Sequence, residues 1–350
     1  MKFGFFFQLP SAPWQSEIDR YRDTLAQIEY GDALGFDTAW LAELHFYPEF
    51  SVMSSPLIVA AAAAQRTQRI RLGLAVNLLP LWDPIRNAED AATVDILSNG
   101  RLDFGVGRGT NARHYSGFNI PMQESRERFT EALEVIIKAW THERVTHEGK
   151  YYRAQDLAVH PKPVQKPHPP IRIATNSSDT FPLAGRLGYP IFTSLVVVPL
   201  PRLRRDLAIY WQTFEEAGHT RTGEEVALLF PVYVGETAAE AQRVPRESVM
   251  HYFEVIGRRR GGGDTDLDAA TRERSTEMRE RLQRLTFEQV CEQMGIIGTP
   301  EQCIARIKWL QEEFNLSQLI CWFNPGGLLP CDTVLTSMKR FTTSVMPAVR

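Results

Sequence analysis

The feature that most constrains this chain is alternation: a short β-like run gives way to an amphipathic helix, and the pair recurs eight times. KFGFFFQL (2–9) reads as the first strand. A helix follows from Ser16, an N-cap residue, with Ile18, Tyr21, Leu25, Ile28 and Leu34 at helical spacing and Gly35 as its stop. FDTAWL (36–41) and the almost wholly apolar IRLGLAVNLL (70–79) read as strands two and three, with the Ala-rich 56–64 helix between them. RLDFGV (101–106) and PIRIA (170–174) are the fourth and fifth. Pro190 to Val198, Val226 to Val234 and LICWF (319–323) complete the set. Thr299-Pro300-Glu301-Gln302 is a capping box with proline at the first helical position. Strict β-α order implies a parallel sheet, and continuous apolar runs fit strands buried on both faces. Eight such units predict an α/β chain folded as a single (β/α)8 TIM barrel with insertions, residues 1–350 forming one domain. An open doubly wound sheet is the rival.

Composition narrows the function. The 350 residues carry 39 Lys and Arg against 42 Asp and Glu, a net charge of −3, which speaks against a nucleic-acid partner. With 43% hydrophobic residues there is material for a large core. No apolar stretch is long enough to span a membrane, and none at the start reads as a signal peptide. The four cysteines form no C-x-x-C pair, so a reducing, cytoplasmic setting is expected, with no metal. Two stretches interrupt the rhythm. Residues 141–169 are Pro-rich and extended. Gly257 to Leu285 joins a Gly run to dense mixed charge, and reads either as a solvated surface segment or as a mobile lid insertion over the barrel mouth.

Barrel enzymes place their chemistry at the C-terminal strand ends. Strand two there delivers Glu43, Leu44, His45 and Phe46; strand four delivers Gly107, Arg108 and Gly109; strand five delivers Asn176, Ser177 and Thr180; strand six delivers Ser194. The hydroxyl-rich turn at 175–180 enters a helix, where free N–H groups favour an anion. Arg108 stands on a Gly-flanked loop, where a guanidinium can clamp phosphate. Each feature alone also reads as ordinary capping or surface pairing, but together they point to a phosphate site. Of the histidines only His45 sits at a predicted strand end, as a structural residue or a catalytic one, with Glu43 as its neighbour. Dinucleotide, P-loop and hydrolase motifs are missing. Phe5, Phe7, Leu44, Phe46, Leu79 and Leu195 near strand ends suggest an apolar substrate pocket.

Several blocks carry a resemblance: MKFGFF at the start, LGFDTAWLAELHF (34–46), RIRLGLAVNLLPLWDPIRNAED (69–90), LSNGRLDFGVGRG (97–109), QESRERF (123–129) and IGTPEQCI (297–304). In order and spacing the chain resembles the bacterial luciferase-like flavin monooxygenases. That resemblance implies a two-component enzyme. FMN is used in reduced form and supplied by a separate flavin reductase, and O2 is used through a C4a-peroxide to oxygenate an apolar substrate such as an aldehyde. By position it implies that Arg108, Arg126, Ser177 and Thr180 hold the phosphate, with Asn176 where luciferase has a glutamate. Glu43, Ala174 and Ser194 would neighbour the flavin ring, and Ala75 and Val76 match a non-prolyl cis peptide beneath it. A homodimer is also implied. The departures are Leu44 at the position of luciferase's catalytic base, Gly107 for a reactive cysteine and Leu195 for a tryptophan, so light emission by the luciferase route is not expected. A non-catalytic partner subunit and an F420-dependent oxidoreductase remain as alternatives.

Overall fold

The computed structural model describes residues 1–10, 12–259, 276 and 280–350. Eight parallel strands close on themselves: β1 (Lys2–Phe7), β2 (Thr38–Leu41), β3 (Arg71–Leu74), β4 (Leu102–Gly107), β5 (Ile171–Ala174), β6 (Ile191–Ser194), β7 (Val226–Val234) and β8 (Gln318–Trp322). Each pairs with the next, β1 pairs with β8, and helices lie between successive strands, so the barrel is closed and the open-sheet rival falls away. Two short strands, Asn77–Leu78 and Ile296–Gly298, add to it on β4 and β7.

Local signals explain the boundaries. Ser16 Oγ accepts from the Asp19 N–H at 3.1 Å and starts the helix Glu17–Leu34, which ends at Gly35 with φ +86°. Thr299 and Gln302 form the reciprocal capping box of the helix Pro300–Phe314. The first part of the 141–169 excursion folds as an antiparallel hairpin, Val145–Glu148 with Arg153–Leu157, and the prolines follow it. It is tied to the helix Ser125–Thr141 by Glu131, which accepts from the N–H groups of Tyr151 and Tyr152 at 3.1 and 2.8 Å.

The strand period of two divides the apolar residues into two cores. Phe6, Trp40, Ala75, Ala174, Phe192, Ala227, Leu229 and Ile320 cluster inside the barrel. Phe3, Phe5, Phe7, Leu41, Leu72 and Leu74 belong to the larger layer under the helices. This corrects the sequence reading of the pocket: Phe5 and Phe7 point away from the mouth, with Phe5 edge-on to Phe36 at 4.9 Å, and Phe6 takes the inner face. Glycines make room for the large inner ring. A Cβ at Gly73 would lie 2.3 Å from Trp40.

Of the expected lid, 257–285, residues 260–275 and 277–279 lie outside the described residues. Leu282 within it, and Ile256 just before it, are buried in the outer core. No described helix is long and apolar enough to cross a membrane. Among the described residues no cluster of His, Cys, Asp or Glu could hold a metal.

Candidate active site

The C-terminal strand ends are joined into one arc by hydrogen bonds. It starts beyond β2, at Glu43. This carboxylate is buried, and it accepts three hydrogen bonds: from the Leu78 N–H at 2.9 Å, the Trp82 indole Nε1 at 2.7 Å and His45 Nε2 at 2.9 Å. A carboxylate can only accept, so Nε2 carries the hydrogen, and in the neutral form of the ring Nδ1 is the acceptor. The ring of His45 is also buried, with Phe118 edge-on at 4.9 Å and Phe46, Trp82 and His114 within 6 Å. Its backbone N–H donates to His114 Nε2 at 3.3 Å. Glu43 thus fixes the tautomer and the place of His45.

Strand three departs from the continuous run read in the sequence. After Leu74 the chain turns through a cis peptide between Ala75 and Val76, where the resemblance implied one, and then resumes at Asn77. Both residues are half-buried at the inner, mouth-side layer of the barrel. Glycine is required beside this segment. A Cβ at Gly105 would fall 1.8 Å from the Leu74 carbonyl oxygen. Leu78 pairs with Gly107, which brings the chain to Arg108.

Arg108 is half-buried and held at both ends. Its Nη1 donates to Ser125 Oγ at 3.2 Å, and its carbonyl accepts from the Tyr115 hydroxyl. Burial pushes the Tyr115 phenol up to about 12, so it stays a donor across the neutral range. Among the described residues no carboxylate pairs with Arg108. Ser125 begins the helix Ser125–Thr141, whose next residue, Arg126, is exposed and ion-paired with Asp179. Asp179 precedes the helix Thr180–Leu187, and in its turn Ser177 Oγ and Thr180 Oγ1 lie 2.8 Å apart. The Arg126–Asp179 pair thus links the starts of two helices, with Arg108 bonded to Ser125 on one side and Ser177 and Thr180 on the other, and these are donor types suited to phosphate.

The remaining predicted residues border this arc. Ala174 lies in the inner cluster with Ala75 and Val76. Asn176 is exposed; its carbonyl accepts from Arg202 Nη2 at 2.7 Å, and its side-chain oxygen lies 3.5 Å from Thr193 Oγ1. Ser194 is buried and spends its hydroxyl on its own strand end, donating to the Leu229 carbonyl at 3.0 Å and accepting from the Val196 N–H at 3.2 Å. Sequence reasoning missed Trp82, Tyr115, His114 and Ser125. Trp82 and Ser125 stood inside quoted blocks. Nothing in the spacing ties Tyr115 to Arg108 or His114 to His45, because those bonds depend on how the short helix Ala112–Gly117 folds back after β4.

The profile of the luciferase-like monooxygenase family matches residues 1–314. The chain is 30% identical to limonene 1,2-monooxygenase of Rhodococcus erythropolis over 86% of its own length and 76% of that protein. It is 25% identical to the alkanal monooxygenase alpha chain of Photorhabdus laumondii over 100% and 98% of the two chains. In fold it is similar to the oxygenating constituent of 3,6-diketocamphane monooxygenase of Pseudomonas putida, a Baeyer–Villiger enzyme solved in complex with FMN. The TM-score is 0.84 and the identity 21%, covering 100% of this chain and 99% of that one. The protein belongs to the luciferase-like monooxygenase family.

Proposed function

We propose that this enzyme is the oxygenase of a two-component system. In this reading it takes reduced FMN from a separate flavin reductase and, with O2, oxygenates a small apolar substrate, an aldehyde being one candidate. The observation that carries the reading is Arg108: a half-buried guanidinium held by a neutral hydroxyl and, among the described residues, without a carboxylate, as a cation reserved for an anionic ligand would be. With Arg126, Ser177 and Thr180 it forms the phosphate site, and Asn176 stands at the rim. The half-buried Ala75 and Val76 and the small Ala174, packed in one apolar cluster, would border the flavin ring, together with Ser194. Bound reduced flavin supplies the electrons that activate O2. The chain's own part is to orient the flavin, exclude water and handle the proton. His45, through Nδ1, is the group for that last task, and Glu43 positions it.

Exposed apolar side chains support a homodimer. Ile58 is 70% exposed on one helix; Ile96 and Leu97 are 44% and 46% exposed on the next. The two helices are tied where Gln65 Nε2 donates to the Leu97 carbonyl at 3.2 Å. The function is tested by turnover of apolar aldehydes, ketones and terpenes with reduced FMN under 18O2. One labelled oxygen atom in the product is expected. Unlabelled product, or equal turnover without O2, would contradict the reading and favour hydride transfer.

A further inference from the structure

We infer that Asp179 is a competing anion: paired with Arg126, it must give way to the phosphate of FMN, so that it loosens the flavin. The inference rests on the phosphate reading given above.

The two arginines of the site are held differently. Arg108 is half-buried and gripped by neutral groups, the Ser125 hydroxyl on its guanidinium and the Tyr115 hydroxyl on its carbonyl. Arg126 has a side chain 57% exposed, and its partner Asp179 is 41% exposed. Only the second already carries a negative charge where a phosphate would need to sit. Asp179 is also the N-cap residue of the helix Thr180–Leu187, the position at which an aspartate ordinarily accepts from its own helix's N–H groups. It makes no such bond. Its backbone is already helical, at φ −80° and ψ −17°, its carboxylate turns to Arg126, and the Thr180 N–H donates to the Ser177 carbonyl at 2.9 Å.

An exposed ion pair is weak and readily displaced. A phosphate dianion offers more charge and three acceptor oxygens to the same guanidinium, so it wins the exchange. Once it is bound, Asp179 remains beside it as a like charge. Both effects lower the affinity for FMN, and neither touches a flavin without a phosphate. An oxygenase that accepts reduced flavin and returns oxidised flavin in each cycle gains from a loosened phosphate, because release need not limit turnover.

The test is anaerobic titration of the full chain with reduced FMN and, separately, with reduced riboflavin, in the parent, Asp179→Asn, Asp179→Glu and Arg108→Ala proteins. Asp179→Asn is expected to tighten FMN about fivefold and slow its release by a similar factor, with riboflavin unchanged. Asp179→Glu, which keeps the charge, should retain the parent's preference. If Asp179→Asn binds FMN as the parent does, or more weakly, while Arg108→Ala loses the preference for FMN over riboflavin, the inference fails and the phosphate reading stands. If Arg108→Ala keeps the parent's preference, the phosphate reading fails and takes the inference with it.

Discussion

The two ends of the barrel are built on opposite terms. At the N-terminal end charge is met from within the chain. The Asp32 carboxylate accepts from the backbone N–H groups of Gln68, Arg69 and Ile70 at 2.8, 3.2 and 2.7 Å. Arg71 at the start of β3 clasps Asp103 at the start of β4, with Nη2 to Oδ1 at 2.7 Å. Arg101 donates to the carbonyls of Ile70, Ala64 and Thr67 at 2.7, 3.0 and 3.0 Å. At the C-terminal end Arg108 has a hydroxyl and, among the described residues, no carboxylate, Arg126 has an exposed partner, and Ala75 and Ala174 join the inner cluster. One end is closed by saturation, which serves stability. The other leaves the Arg108 guanidinium with one neutral partner, which in the proposed reading keeps it for a ligand.

That contrast can be broken from either end. The largest effect is expected at His45. His45→Ala should slow turnover by about 10²- to 10⁴-fold while flavin affinity stays within about threefold. Steady-state and binding measurements check both, and a slowing of less than about threefold would remove His45 from proton handling. Next comes Asp32→Ala, which strands three backbone donors at the saturated end. It should cost about 3 kcal/mol of stability, read from the denaturant midpoint, without altering the preference for FMN over riboflavin. A changed preference with unchanged stability would dissolve the division between the ends. The smallest effect is expected for Tyr115→Phe, which frees the Arg108 carbonyl. FMN should bind about threefold more weakly and riboflavin as before. Equal weakening of both would make Tyr115 a packing residue only.

Much of this was legible in the chain, because period and punctuation are local. The eight strands, the caps at Ser16 and Thr299 and the stop at Gly35 all follow from short-range rules. The site was legible in its strand-end residues, since barrel topology dictates where Glu43, Arg108 and Ser177 must emerge. What escaped depends on register or on long-range closure. Phe5 and Phe6 exchange faces with a one-residue shift of register, and composition cannot fix that shift. The bond from Glu43 to Trp82 spans 39 positions, and the pair of Arg126 with Asp179 spans 53. Such contacts exist only once the barrel has closed.

The central claim is that the under-paired end is kept for the phosphate of reduced FMN, with Arg108 as its anchor. The most direct test is the ratio of dissociation constants for reduced riboflavin and reduced FMN, measured without O2 in the parent and in Arg108→Ala. The account predicts that the parent favours FMN and that the substitution erases the preference by weakening FMN about 10- to 100-fold while riboflavin binds as before. A parent that does not distinguish the two flavins, or an Arg108→Ala protein that still favours FMN, would contradict it.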